Sequence, residues 1–244
     1  MLPTRRKFLT AAGAGAVGAA ATMTGSAAFA APASTAPAKG GKTTLTPDQA
    51  LALLKEGNRK YLTDSPLRAA VGRQRRLEIA QSQAPFAAYV TCSDSRVPPE
   101  LLFGRGLGEL FIIRNAGNTV DTVALGSIEY AVAVLGVPLV VVMGHERCGA
   151  VAAAASVVRE NATFPGQIGR MIEPIIPAVL KAQGQSGDLV DNAIRENVRR
   201  VANQLRTATD PLLLDPQRTG KLKVVGAYYD LDTGTVDFFD EPRG

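Results

Sequence analysis

Histidine is nearly absent from this 244-residue chain: His145 is the only one, and cysteine occurs twice, as Cys92 and Cys148. That scarcity excludes histidine-rich metal sites, disulfide-stapled scaffolds and any chemistry that needs two imidazoles. Tryptophan is missing altogether, and aromatic residues make up 5%. Excess charge is scarce too. The formal net charge is +5, but Arg5, Arg6 and Lys7 are the only charged residues among the first 30, so the body that follows carries only +2. A nearly neutral body lacks the clustered basic face that phosphate contacts require, so no nucleic-acid partner is expected. With 46% hydrophobic and 20% charged residues, the composition is that of a globular chain rather than a disordered or fibrous one.

At the amino terminus, Thr4-Arg5-Arg6-Lys7-Phe8-Leu9 sets paired arginines before an uncharged stretch over residues 10–38. This is the layout of an export signal, and the arginine pair resembles the motif of the twin-arginine route. Ala28-Phe29-Ala30 offers small residues to a signal peptidase, which predicts cleavage after Ala30. An uncleaved membrane helix over residues 9–31 is the alternative. The expected organisation is a twin-arginine-type signal peptide at 1–30, a flexible leader at 31–44 and one domain at 45–244. The mature protein is then periplasmic or in the cell envelope, with no stable membrane anchor once the signal is removed.

Along the body, Thr46 followed by Pro47 predicts a helix start, and Ala50, Leu51, Leu54 and Tyr61 recur at helical spacing to about Leu62. Four short apolar runs, at 86–92, 110–113, 139–143 and 223–229, read as buried strands. Helical stretches lie between them, notably 120–135 and 146–158. Apolar strands alternating with helices predict an α/β class, with a mostly parallel central sheet covered by helices on both faces. Residues 188–205 form an amphipathic helix with Val190, Ile194, Val198, Val201 and Leu205 on one stripe, and Arg195, Arg199 and Arg206 are expected towards solvent. Asp232-Thr233-Gly234 reads as a hairpin turn into a final antiparallel edge strand.

Every cysteine and histidine falls where two of these strands run out, in Cys92-Ser93-Asp94-Ser95-Arg96 and in Gly144-His145-Glu146-Arg147-Cys148-Gly149. Open parallel sheets place their sites at the carboxyl ends of strands. Two thiolates and an imidazole suit zinc. The His-x-x-Cys spacing lets two ligands reach one ion from a single turn, while Cys92 closes the site from a neighbouring strand. A fourth position is left for water or for Asp94. Two other readings compete here: a Cys92–Cys148 disulfide in an exported protein, and a purely structural zinc.

The pair of motifs resembles the β-class carbonic anhydrase family, and the similarity runs over residues 46–239. Arg114-Asn115-Ala116-Gly117-Asn118, Gly126-Ser127-Ile128-Glu129-Tyr130-Ala131 and Gly226-Ala227-Tyr228-Tyr229 also resemble family segments. The resemblance implies a catalytic domain at 45–244, assembly as a homodimer or a higher even homo-oligomer, and one Zn2+ per subunit on Cys92, His145 and Cys148. It implies reversible hydration of CO2 to bicarbonate and a proton, by hydroxide formed from water on the zinc. Asp94 and Arg96 read as the catalytic pair. The guanidinium keeps the carboxylate ionised and aimed at the nucleophile's hydrogen, and a released Asp94 becomes a fourth ligand in a closed state.

By position, the resemblance also implies that Gln83, nine residues before Cys92, donates to a bicarbonate oxygen. Gly149, at the start of a helix, is a second substrate contact through its backbone amide. Val97, Phe103 and Val120 are candidate walls of a CO2 pocket. Some family members bind regulatory bicarbonate beside a tryptophan. Tyr89 stands at that place here, so such regulation is not expected. With His145 on the metal, proton export falls to buffer or to carboxylates. Two other functions fit the same scaffold: hydrolysis of carbonyl sulfide or carbon disulfide, and a non-catalytic zinc-binding or sensing role.

Overall fold

A computed structural model describes residues 41–64 and 69–242. The expected signal peptide at 1–30, its cleavage point after Ala30 and most of the leader at 31–44 lie outside the described residues. The first element is α1, Pro47–Leu62. Thr46 starts it with a capping box: its side chain accepts from the Gln49 N–H at 3.3 Å, and the Gln49 side chain accepts from the Thr46 N–H at 2.9 Å. Such a reciprocal cap stabilises a helix start by about 1 kcal/mol.

The chain then forms α2 Arg73–Ile79, β1 Ala87–Cys92, α3 Pro99–Leu102, β2 Leu110–Asn115 and α4 Thr122–Glu129. It continues through β3 Leu139–His145, α5 Gly149–Glu160, α6 Ile168–Ile172, α7 Ile176–Ala182 and α8 Leu189–Arg206. The last elements are α9 Pro211–Arg218, β4 Lys223–Tyr229 and β5 Val236–Asp240. All four strand expectations are met, and β3 runs on to His145 itself.

Among the described residues the five strands form one sheet in the order β2-β1-β3-β4-β5. The first four are mutually parallel, and β5 pairs antiparallel with β4 as the expected edge. Every residue of β1 and β3 is buried, as parallel strands covered on both faces must be. One face packs against α1, with Leu54, Phe86, Tyr89, Phe103 and Met143 fully buried. The other packs against α8, with Val140, Val142, Val198 and Leu205 between them. Connections leave β1 towards β2 on one side, whereas β3 lies on its other side. The crevice at the carboxyl ends of β1 and β3 is therefore the topological switch point, where ligands bind in open α/β sheets.

Three expectations need correction. The helix placed at 120–135 begins at Thr122, because the Asp121 side chain accepts from the Ala124 N–H at 2.8 Å, and it widens into a π-turn over Tyr130–Val134. The helix placed at 146–158 begins at Gly149, because Arg147 takes a left-handed backbone with φ +51° and so breaks any helix through Glu146. The arginines of α8 do not simply face solvent. Arg195 stacks 3.9 Å from the Tyr228 ring centroid and Arg199 4.9 Å from that of Phe239. Arg206 is half-buried and donates to the Val224 and Asp240 carbonyls. These side chains fasten α8 to the last two strands.

Candidate metal centre and active site

β1 ends on Cys92 and β3 on His145, and the two strands are hydrogen-bonded neighbours, so the sheet itself sets the first two ligands side by side. The chain turns at Glu146 and Arg147 and returns Cys148 as the residue before α5. The Cys92 Sγ, a His145 ring nitrogen and the Cys148 Sγ all lie within 4.8 Å of one another, and all three residues are buried. The sulfurs are 3.9 Å apart, about twice a disulfide bond, and both cysteines are free.

The histidine tautomer follows from its neighbours. Nδ1 lies 2.9 Å from the Glu146 carbonyl oxygen, which can only accept, so Nδ1 carries the proton and Nε2 keeps its lone pair. That Nε2 is buried with no hydrogen-bond partner among the described residues. An orphaned imidazole lone pair facing two thiols fits a soft divalent cation, and zinc matches this donor set.

Protein dipoles favour thiolates here. The Gly117 N–H donates to the Cys92 Sγ at 3.4 Å, and the Ala150 and Val151 amides at the start of α5 favour ionisation of Cys148. The two sulfurs act on each other: a hydrogen bond from Cys148 draws the Cys92 pKa down, and the same bond, with burial, pushes Cys148 up. Gly117 has φ +83°, and a Cβ there would lie 2.5 Å from the Ile175 Cδ1, so only glycine brings this amide to the sulfur.

Asp94 stands beside the cluster, its Oδ2 3.9 Å from the His145 Nε2. Arg96 grips it with a fork: Nε donates to Oδ1 at 2.9 Å, Nη2 to Oδ2 at 2.7 Å, and the Arg96 backbone N–H adds a third bond at 2.9 Å. These bonds hold the Asp94 carboxyl well below the usual carboxylate range. The arrangement is the paired one, with Asp94 on Arg96. Arg114, on the edge strand β2, donates from Nε to the Cys92 carbonyl at 2.9 Å and from Nη2 to the Asp94 carbonyl at 2.6 Å. It fixes the loop that carries a ligand and the carboxylate together, a role that the sequence alone did not reveal. The Asn197 side chain on α8 does the same for the facing loop by donating to the Gly117 carbonyl at 2.9 Å.

Of the two expected substrate contacts, Gly149 directly follows the ligand Cys148, whereas Gln83 does not stand beside the cluster within this chain. Gln83 precedes β1, at the opposite end of that six-residue strand from Cys92, about 20 Å along the sheet. It lines a groove of about 540 Å3 with Lys42, Ile79 and Tyr130, so this chain does not bring it to its own metal centre. Gly149 is the first residue of α5 and borders open space, whereas the amides that follow it serve the Cys148 sulfur. Val97 and Phe103 are fully buried in the core against α1, and Val120 is half-buried near α4. Tyr89 is buried against Phe103, ring centroids 5.2 Å apart.

Comparison with known proteins agrees with this geometry. The carbonic anhydrase family profile matches residues 87–236. The chain is 38% identical to a carbonic anhydrase of Mycolicibacterium smegmatis over 75% of its own length and 89% of the relative's. It is 37% identical to carbonic anhydrase 2 of Mycobacterium tuberculosis, over 74% and 87%. Among solved structures, a β-carbonic anhydrase of Aspergillus fumigatus superposes with a TM-score of 0.61 at 28% identity, covering 81% of this chain and 92% of that one. The Coccomyxa β-carbonic anhydrase gives 0.60 at 29% identity, covering 78% and 86%. With the family's two ligand motifs gathered at one switch point and its profile matched over most of the body, this chain belongs to the β-class carbonic anhydrase family.

Proposed function

We propose that the protein catalyses the reversible hydration of CO2 to bicarbonate and a proton, with one zinc ion held by Cys92, His145 and Cys148. When bound, zinc supplies the Lewis acidity that makes water a nucleophile near neutral pH. Asp94 carries the reading. Kept ionised and oriented by the Arg96 fork, it accepts a hydrogen from the attacking water and so fixes the direction of the oxygen's lone pair. Arg114 holds the Cys92 and Asp94 carbonyls, which keeps the distance between ligand and carboxylate constant through turnover. Stopped-flow hydration by the zinc-loaded chain across neutral and alkaline pH is the test. One zinc per chain with no hydration at any pH would leave only a non-catalytic metal protein.

Residues 1–30 act as a twin-arginine export signal, and the protein works outside the cytoplasmic membrane. Support comes from Arg5-Arg6 and from Ala28-Phe29-Ala30. No helix among the described residues is long and apolar enough to cross a membrane. Cell fractionation should recover a product starting at Ala31 outside the cytoplasm, while an Arg5→Lys, Arg6→Lys variant stays inside uncleaved. Export of that variant would refute the assignment.

The chain assembles as a homodimer or a higher even homo-oligomer. β2 is an edge strand, and Val123, Tyr130 and Val134 present exposed apolar side chains on the neighbouring α4 and its π-turn. The Sordaria macrospora β-carbonic anhydrases, similar at a TM-score of 0.58 and 28% identity, are described as tetrameric. Sedimentation equilibrium should give an even oligomer that Tyr130→Asp loosens. A monomeric wild type would refute it.

A further inference from the structure

The turn between His145 and Cys148 contains a residue in a conformation that it would not choose alone. Arg147 has φ +51°, in the left-handed region, although its Cβ makes that region unfavourable. Something outside the turn must hold it there. Its guanidinium forks onto Asp232, Nη1 to Oδ2 at 3.0 Å and Nη2 to Oδ1 at 2.6 Å, and Nη1 also donates to the Glu146 Oε1 at 2.8 Å. The other Glu146 oxygen accepts from the Leu231 N–H at 3.0 Å, and the Glu146 N–H donates to the Tyr229 carbonyl at 2.8 Å. Asp232 is itself placed by Asp230, whose Oδ1 accepts from the N–H groups of Asp232 and Thr233. Both residues between the ligands are thereby tied to the connection between β4 and β5.

This network is exposed, with the Arg147 and Asp232 side chains 53% and 69% accessible. Ion pairs in that setting add little to global stability. Their effect on a turn is different in kind. The backbone angles of Glu146 and Arg147 determine whether the Cys148 Sγ returns within reach of the His145 Nε2, so any force that fixes those angles fixes the ligand distance. A planar guanidinium bonded to two carboxylates on two chain segments supplies such a force with direction as well as charge. The Arg96–Asp94 fork lies on the other ligand loop, and among the described residues no hydrogen bond joins the two bridges.

We infer that Arg147 is a positioning residue of the metal centre: its bridge to Glu146 and Asp232 holds the left-handed turn that brings Cys148 to His145, and so retards the loss of zinc. The inference rests on the zinc reading above. It concerns how firmly the ion is kept.

The test measures zinc release from the loaded full chain to a chromogenic chelator, with the thermal midpoint recorded alongside. Arg147→Ala and Asp232→Ala should each speed release about tenfold, in the range seen when groups that orient metal ligands are removed. The double variant should release no faster than either single one by more than about twofold, since both remove one bridge. Arg147→Gly accepts the left-handed backbone but lacks the fork, and should release zinc about as fast as the alanine variant. Arg147→Lys, which keeps the charge and loses the fork, should recover only part of the retention. Wild-type release rates in all the variants would overturn the inference and leave the zinc reading standing, as would a fall in thermal midpoint with unchanged release. Wild-type retention in Arg147→Gly alone would overturn it as well, by assigning the effect to backbone strain. A wild-type chain that binds no zinc would overturn both.

Discussion

Asp94 shows how much of this site depends on a single side chain being held rather than merely present. Three donors from Arg96 fix its carboxylate while its Oδ2 stays 3.9 Å from the ligand nitrogen of His145. Asp94→Asn keeps the volume but gives up the negative charge and one of the two acceptor oxygens. CO2 hydration should fall by about 100-fold or more, the usual scale for removing a positioned acid–base group, while zinc content stays near one per chain. Zinc analysis beside stopped-flow rates checks both halves. A variant that loses its zinc would instead make Asp94 part of the metal cage. The ligands were legible in the sequence because one histidine and two cysteines leave little choice, and the Asp94-x-Arg96 pair was read from its place directly after Cys92. Gln83 was placed at the site by resemblance alone, and within one chain it stands before the far end of β1. Spacing from Cys92 is counted along the chain, and the six-residue strand between them turns most of that spacing into distance within the chain.

At the scale of elements, strands were easier to read than the helices that cover them. Buried parallel strands show as uninterrupted apolar runs, so β1, β3 and β4 appeared close to their true bounds. Helix starts depended on local bonds that composition does not show, such as the Asp121 cap and the left-handed Arg147. Amphipathicity identified α8 but misjudged its polar side, because a guanidinium can pack on aromatic rings and carbonyls while still bordering solvent. Arg206 makes this measurable. Its Nη2 donates to the Val224 carbonyl at 2.9 Å and to the Asp240 carbonyl at 2.6 Å, and its Nη1 to the Asp240 carboxylate at 2.9 Å. One side chain thus joins α8 to β4 and to the end of β5. Arg206→Ala should destabilise the fold by about 2 kcal/mol in urea unfolding, within the range for hydrogen bonds to a charged group. Arg206→Lys should recover less than half of the loss, because an ammonium lacks the planar fork whose Nε, Nη1 and Nη2 reach acceptors on both strands. Full recovery by lysine would show that charge alone mattered.

For the whole molecule, the metal centre is a crosslink as well as a reaction site. Cys92 ends one strand, His145 ends its neighbour and Cys148 precedes a helix that packs on α7 and α8, so the three donors meet only after the sheet has formed. An unfolded chain offers at most the local His145-x-x-Cys148 pair, and binding to the native state alone therefore adds to folding stability. Free zinc at 100 times its dissociation constant contributes about 2.7 kcal/mol. For a domain of this size, each kcal/mol moves the thermal midpoint by about 2–4 °C, so stripping the ion with a chelator should lower the midpoint by roughly 5–10 °C. Restoring zinc should raise it again, with the midpoint climbing as free zinc increases. Residual affinity of the unfolded thiols would trim the shift without changing its sign. Scanning calorimetry at several buffered zinc concentrations makes the measurement, and a midpoint that ignores zinc would mean that the three donors do not act on a common ion.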